Sequence, residues 1–155
     1  MTLKTMVRVA LGYLILVSLP IGLWALLAPR SFYDDYPGLG RVWVAVDGPY
    51  NEHLVRDIGA LNLALTVLLI AAAVTATRAM VVTAAIASLV WGIPHLVYHI
   101  ANAGDLDAGD AAASIAGLAV FAVLPVVLIV VSGSLEDEEP GTAHRTRSEA
   151  PDPDG

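Results

Sequence analysis

Two residue pairs with the spacing of one helical turn are the features of this sequence that could do chemistry. His53 and Asp57 are four residues apart, and so are His95 and His99. Residues at positions i and i+4 share a face of an α-helix, so each pair presents two side chains that can bind a proton or a metal together. Imidazole and carboxylate groups are common ligands of zinc and iron. These four residues are therefore the candidate metal ligands.

Four long apolar runs must position these side chains. Of the 155 residues, 57% are apolar, and the mean hydropathy is +0.70. A helix crosses the hydrocarbon of a bilayer with about 20 such residues. The sequence therefore predicts an all-α, integral membrane four-helix bundle in residues 1–132, with an ordered outer loop between the first two helices. The predicted helices cover about residues 7–28, 53–76, 79–101 and 111–132.

The second and third predicted spans bring the two pairs to one end of the bundle. Only a short break around Arg78 joins these spans, so they should be antiparallel neighbours. His53 and Asp57 start the second span, while His95 and His99 end the third. An ionisable side chain in hydrocarbon costs at least about 2.5 kcal/mol and normally finds a partner inside the bundle. We therefore expect the four side chains to converge near the outer interface.

Further polar residues accompany the candidate ligands on the second span. Glu52, Arg56 and Asn62 complete a predicted polar cluster. The simplest interpretation is a hydrogen-bonded network that joins the second and third spans and ties Arg56 or Glu52 to the outer loop. Asn62 would make an interhelical hydrogen bond, as would Thr66 one turn further on. No ligand is needed in that case.

Three other interpretations of the cluster stay open. The first is a metal site built from His53, Asp57, His95 and His99. The second is a non-covalent b-type haem held by two histidines on facing helices. The third is a proton-active or quinone-type pocket, in which Asp57 and a histidine exchange a proton at the interface.

The segments outside the spans have distinct compositions. Residues 29–50 carry five aromatic side chains of the kind that favours the headgroup level, and the alternating stretch 41–46 predicts a short strand. Asn51 is a natural N-cap for the second span. Residues 133–155 are rich in Pro, Gly and acids, which predicts a disordered cytoplasmic tail. Gly12, Gly22, Gly59, Gly92 and Gly117 are expected at close helix contacts.

Charge indicates the orientation and excludes some functions. Lys4, Arg8, Arg78, Arg145 and Arg147 fall on the side of the termini, against Arg30, Arg41 and Arg56 on the other, so both termini are predicted to be cytoplasmic. The formal charge of −7 is concentrated in the tail, and Lys and Arg are scarce, which argues against nucleic-acid binding. The absence of cysteine excludes disulfides, Fe–S clusters, thiolate metal sites and c-type haem.

Two stretches carry a resemblance to a known group of proteins. The first runs from Pro37-Gly38 through Gly40-Arg41-Val42-Trp43 to Pro49-Tyr50-Asn51-Glu52-His53-Leu54-Val55-Arg56-Asp57-Ile58-Gly59, and the second is Pro94-His95-Leu96-Val97-Tyr98-His99. Over residues 1–132 the chain resembles small four-helix bacterial membrane proteins that are broadly DoxX-like. The resemblance implies a multi-pass protein of the bacterial plasma membrane, with His53, Asp57, His95 and His99 at the polar positions of the group. Relatives in that group include an oxidoreductase subunit coupled to quinone.

Two hypotheses about function follow. The first is a non-enzymatic ligand-binding or accessory membrane subunit with an outward-facing His/Asp cluster, whose partners are the lipid bilayer and either another membrane protein or further copies of itself. The second is a metal-, haem- or quinone-linked membrane oxidoreductase, or a subunit of one. The second requires a bound cofactor that depends on His53 and His95.

Overall fold

The computed structural model describes residues 1–135, and four long helices account for most of them. These are α1 (Leu3–Leu27), α3 (Glu52–Thr75), α4 (Arg78–Ala101) and α5 (Ala108–Ser132). Each is long and apolar enough to cross a membrane, so the chain is a multi-pass membrane protein and the predicted all-α four-helix bundle is confirmed. The predicted disordered tail lies, from residue 136 onward, outside the described residues.

Local side-chain chemistry sets the beginnings of the helices. The Asn51 side chain accepts a hydrogen bond from the Leu54 N–H at 3.2 Å, which confirms the predicted N-cap of α3. Asp107 caps α5 in the same way, because its carboxylate accepts from the N–H groups of Gly109 and Asp110. Such bonds satisfy backbone donors that the first turn of a helix leaves without partners.

The segment Pro29–Tyr50, which we call the cap, folds over one end of the bundle. It contains the short helix α2 (Pro29–Asp35), strands β1 (Pro37–Gly38) and β2 (Arg41–Val42), and a 3₁₀ turn at Ala45–Asp47. The prediction of an ordered loop is confirmed. The prediction of a strand to residue 46 is wrong, since pairing with the two-residue β1 ends at Val42 and the chain then turns.

Side-chain contacts fasten the cap to itself and to the bundle. The Tyr33 hydroxyl donates a hydrogen bond to the carbonyl of Gly48, which closes the cap on itself. Arg41 forms an ion pair with Asp110 in the first turn of α5 at 2.5 Å. Phe32 packs with Ala25 of α1 and Val55 of α3 in a small apolar cluster. The end of the bundle beneath this segment is the cap end, and the other is the termini end.

The long helices pack as two pairs, α1 with α3 and α4 with α5. A Cβ added at Gly59 would lie 2.5 Å from the backbone nitrogen of Leu26, and one at Gly22 would lie 2.9 Å from the Leu63 side chain. Glycine thus lets α1 and α3 approach closely, as expected for these positions. A Cβ added at Gly92 would lie 3.3 Å from the Phe121 ring, whereas one at Gly12 or Gly117 would meet no atom within 4 Å. The expectation of close packing is therefore wrong for Gly12 and Gly117.

The main apolar core fills the termini end of the bundle. Most of its buried members come from the first halves of α1 and α4 and the second halves of α3 and α5, and they include Leu11, Leu69, Val81 and Leu128. The helices α3 and α4 are antiparallel neighbours, as predicted, but they touch each other less than each touches its own pair partner. Between the two pairs, towards the cap end, the packing opens into a cavity.

Candidate functional site

A cavity of about 310 Å³ lies between the two helix pairs and beneath the cap. All four long helices and the cap contribute to its wall. Its volume falls at the lower end of the range that small-molecule sites occupy. The aromatic members of the wall are Tyr13, Phe32, Tyr36, Trp43, Trp91 and Phe121, and the polar members are Ser18, Asp47, Asn62, His95, His99 and Ser114.

The cavity reaches from the cap to about the middle of the helices. Ser18 is nine residues from the cap end of α1, which places it ~14 Å into a helix that is ~37 Å long. Phe121 lies ~20 Å along α5 from its start at Ala108. The floor of the cavity therefore lies at the level of hydrocarbon, whereas its roof is the cap.

Two buried polar atoms in the wall have no hydrogen-bond partner within residues 1–135. They are the Ser18 hydroxyl oxygen and the Trp43 indole nitrogen. Ser18 is only 1% exposed. Buried polar atoms are nearly always paired, and leaving one unpaired costs about 1–3 kcal/mol. An indole N–H can only donate, so Trp43 offers a bond to an acceptor, while a serine hydroxyl can donate or accept.

Neither of these atoms was predicted from the sequence. Ser18 is a single small polar residue within an apolar span, and a serine side chain usually satisfies itself on its own helix. Trp43 was predicted at the headgroup level because of its residue type alone. Only the packing of α1 and the cap around a common cavity distinguishes them from other serines and tryptophans.

His95 and His99 line the cavity, as the sequence predicted for a pocket at this end of the bundle. The His95 ring stacks on the Trp91 ring with 4.7 Å between centroids, and the His99 ring lies 4.7 Å from His95. The hydroxyl of Ser114, on α5, is hydrogen bonded to Nδ1 of His99 at 3.2 Å. Within the described part of the chain neither nitrogen of His95 has a hydrogen-bond partner.

Asp47 stands at the cap rim of the cavity. Partial burial raises the pKa of its carboxyl above the ordinary value, and the nearby His99 opposes this rise. The Tyr98 hydroxyl makes a long contact of 3.5 Å with Oδ1 of Asp47. The sequence analysis does not single out this carboxylate, because Asp47 stands in an Asp-Gly-Pro sequence that is typical of a turn.

His53 and Asp57 lie outside this cavity. Their side chains contact each other at 3.3 Å, but they are 88% and 55% exposed. The buried face of α3 runs through Val55, Gly59 and Asn62, and His53 lies on the opposite side of the helix from Val55. The expected convergence of His53 and Asp57 with His95 and His99 is therefore wrong. Among residues 1–135 no group of three or more His, Cys, Asp or Glu could hold a metal.

The accompanying polar cluster joins a different pair of helices from the one expected. Arg56 contacts Glu52 at 2.9 Å and donates to the carbonyl of Leu26, so it ties α3 to the end of α1 and not to the cap or to α4. The Asn62 amide donates to the Ile58 carbonyl of its own helix at 3.0 Å. Thr66 likewise donates to the Asn62 carbonyl at 2.8 Å. The prediction of interhelical hydrogen bonds for Asn62 and Thr66 is wrong, because each side chain donates to a carbonyl of its own helix instead.

The arrangement of histidines also bears on a b-type haem. That hypothesis placed two histidines on facing helices, but the two histidines in the cavity are one turn apart on α4. No histidine from another helix is among the described residues that line the cavity. The expected facing pair is therefore not formed by these residues.

No family model, curated protein or solved structure matches this chain.

Proposed function

We propose that this protein is a ligand-binding or accessory subunit of the bacterial plasma membrane, which holds a small, largely apolar molecule in the cavity beneath the cap. The observation that carries the proposal is the pairing of an aromatic-walled cavity with two buried polar atoms that lack partners, at Ser18 and Trp43. A small-molecule site typically combines an apolar wall with a few convergent polar groups.

The positions of the two unpartnered atoms bear on the shape of the molecule. Ser18 lies ~14 Å from the cap end of α1 and Trp43 is in the roof, so a molecule that satisfies both extends along the cavity. It carries an oxygen or nitrogen acceptor at the roof, because the indole N–H can only donate. The aromatic side chains between them favour a flat, apolar body.

A fluorescent ketone, prodan, tests the proposal because it has a flat aromatic body and a carbonyl acceptor. Its absorption overlaps tryptophan emission, so binding beside Trp43 and Trp91 should produce saturable energy transfer in the purified protein. Replacement of Ser18 by Ala removes one hydrogen bond of about 0.5–1.5 kcal/mol, which corresponds to roughly 2- to 12-fold weaker binding.

Ser88 provides the matched control. It is equally buried, on α4, but its hydroxyl donates to the Ala84 carbonyl of its own helix at 2.8 Å and it does not line the cavity. The Ser88→Ala variant should bind prodan as the wild type does. Absence of saturable transfer in the wild type, or equal affinity of the Ser18→Ala and wild-type proteins, would contradict the proposal.

The membrane orientation is part of the same proposal. The count of five basic residues at the termini side against three at the cap side supports cytoplasmic termini, so the cap and the roof of the cavity would face away from the cytoplasm. Membership of a DoxX-like group is likewise proposed, from the residue patterns at 37–59 and 94–99. A partner of this subunit, either another membrane protein or a second copy of the chain, is a separate hypothesis.

A second candidate function is a metal- or quinone-linked oxidoreductase or a subunit of one. The observation in its favour is the row of ring contacts in the cavity wall, where His95 stacks on Trp91 and meets His99 edge to face. An imidazole in this row could exchange a proton with a bound ring. Elemental analysis and an absorption spectrum of the purified protein test it. A cofactor lost in His95→Ala and retained in His53→Ala would support this function over simple binding.

A further inference from the structure

The cavity has an exposed edge along one seam of the bundle. Most residues in its wall are buried or half-buried, and those contributed by α3 and α4 are all of this kind. Three exposed ones lie on the two remaining long helices: Tyr13 on α1, which is 41% exposed, and Ala113 and Gly117 on α5. A fourth, Asp47, lies in the cap.

Small residues leave this seam between α1 and α5 open. These two helices belong to different pairs and make far fewer contacts with each other than α1 makes with α3. A Cβ added at Gly117 would meet no atom within 4 Å. The residues Ala112, Ala113 and Ala116 beside it are also small and exposed.

The open seam lies at the depth of the bilayer hydrocarbon. Gly117 is nine residues from the start of α5, which places it ~14 Å from the cap end of the helix. The hydrocarbon core is ~30 Å thick, and the four helices are each ~36–37 Å long. An opening at this level faces lipid acyl chains and not water.

We propose that the α1/α5 seam at Tyr13 and Gly117 is a lateral portal, through which the cavity takes up neutral molecules dissolved in the membrane leaflet at the cap end. This inference rests on the proposed function of the cavity. Ser18 lines the cavity behind the seam, is only 1% exposed, and its hydroxyl has no hydrogen-bond partner within residues 1–135, so it can supply a polar contact that acyl chains cannot offer.

The wall also defines the chemical class of the molecule. Apart from the titratable histidines, Asp47 at the cap rim is the one formally charged residue among the lining residues that the structure describes. A neutral compound with an apolar ring system and an oxygen acceptor suits this wall. A strongly charged one would have to cross hydrocarbon to reach the portal, at a high cost.

Single-cysteine labelling tests the portal directly, because the natural chain has no cysteine. In a Ser18→Cys variant the new thiol replaces a residue of the cavity wall on α1. With the protein in lipid vesicles, N-pyrenylmaleimide dissolved in the bilayer should label this thiol, and a charged, membrane-impermeant methanethiosulfonate should label it at least tenfold more slowly. Adding Gly117→Leu should slow the maleimide reaction at least tenfold, since a leucine side chain would occupy the opening.

Gly12→Leu is the matched control. Gly12 is also an exposed helical glycine whose added Cβ would meet no atom within 4 Å, but it does not line the cavity. Both leucine variants should unfold at the wild-type temperature, and only Gly117→Leu should slow labelling. Failure of the bilayer-dissolved reagent to label Ser18→Cys, or equal rates with and without Gly117→Leu, would overturn the portal.

Loosening the cap separates the lateral route from one through the roof. Adding Arg41→Gln to the Ser18→Cys protein removes the ion pair between the cap and α5. The portal predicts an unchanged maleimide rate, and a rate that rises severalfold with the cap loosened would refute it. Prodan titration of the Gly117→Leu protein tests the proposed binding function independently. Saturable prodan binding together with an unchanged labelling rate would refute the portal and leave the proposed binding function standing.

Discussion

Gly59 of α3 packs directly on the backbone of Leu26 in α1. A side-chain carbon at position 59 would lie 2.5 Å from the Leu26 nitrogen and 2.9 Å from its Cα, closer than any real contact. The neighbouring Arg56 donates a hydrogen bond to the Leu26 carbonyl, so α1 ends against α3 through both packing and a polar contact. These contacts fix one side of the cavity.

We expect Gly59→Ala to destabilise the protein, although alanine is the better helix former. The methyl group would push against backbone atoms, which cannot rotate away, and overpacking of this kind typically costs about 1–3 kcal/mol. Thermal unfolding in a neutral detergent, followed by circular dichroism, measures the effect. Gly12→Ala serves as the control, because an added Cβ there meets no atom within 4 Å. Equal midpoints for the two variants would show that the helices are less close than described.

The Arg41–Asp110 ion pair should hold the cap on α5. Asp110 is only 13% exposed in its side chain, so this pair is better shielded than most surface pairs. Arg41→Gln should free the cap at a cost of about 1 kcal/mol and raise the rate of chymotrypsin cleavage at cap aromatic residues roughly fivefold.

Arg30→Gln is the control for this effect, because the Arg30–Asp34 pair lies within α2 and is well exposed. It should leave cleavage close to the wild-type rate. The exchanged variant, Arg41→Asp with Asp110→Arg, should restore protection in part. An equal cleavage rate in the Arg41→Gln and wild-type proteins would mean that other contacts hold the cap.

Capping of α5 by Asp107 predicts a specific pH dependence. The N–H groups of Asp110 and Gly109 donate to the Asp107 carboxylate and lower its pKa below the ordinary value of about 3.9. The unfolded chain then binds more protons than the folded one in this range. The stabilisation is fully present above the unfolded pKa and is lost as the pH falls through the lower, folded pKa.

Asp107→Ala should therefore lower the unfolding midpoint at pH 7, and the difference from the wild type should shrink as the pH falls below the unfolded pKa of about 3.9. Asp105→Ala removes the same charge two residues earlier, where no side-chain hydrogen bond forms within the described residues, and should be nearly neutral. A constant difference between the Asp107→Ala and wild-type proteins from pH 3 to pH 7 would argue against an ionised cap.

The exposed pair His53–Asp57 should contribute little to stability. The side chains of His53 and Asp57 are 88% and 55% exposed. Exposed ion pairs four residues apart on a helix contribute about 0.3–0.5 kcal/mol to stability. A double-mutant cycle of His53→Ala and Asp57→Ala should return a coupling energy in that range. Prodan binding should be unchanged in both variants. A coupling energy well above 1 kcal/mol, or altered prodan binding, would contradict the assignment of His53 and Asp57 to an exposed surface outside the cavity.

The four spans were predictable because hydrocarbon thickness imposes a length and a composition that few soluble segments share. The N-cap at Asn51 was predictable for a similar reason, since residue type and position determine it together. The helix pairing was not predictable. It depends on which helix presents its glycines to which neighbour. Gly22 of α1 faces Leu63 of α3, and Gly59 of α3 faces Leu26 of α1, but the sequence does not say that these two helices are partners.

Two of the four candidate metal ligands line the cavity, and the rotation of each helix about its own axis decides which two. His95 and His99 share the inward face of α4, but His53 and Asp57 fall on the outward face of α3. Spacing of i and i+4 establishes that two residues share a face without saying which face it is. For α3 the small and polar residues Gly59, Asn62 and Thr66 mark the buried side, and they are out of phase with His53.

The order of the helix pairs has a consequence for how the protein is made. During synthesis α1 emerges first, but its main partner, α3, follows only after the whole cap, and α4 must likewise wait for α5. Each of α1 and α4 therefore spends an interval in the lipid before its partner arrives. A nascent chain released after Thr75 would already hold one complete pair with its glycine contacts, while the part of the cavity wall that α4 and α5 form would not yet exist.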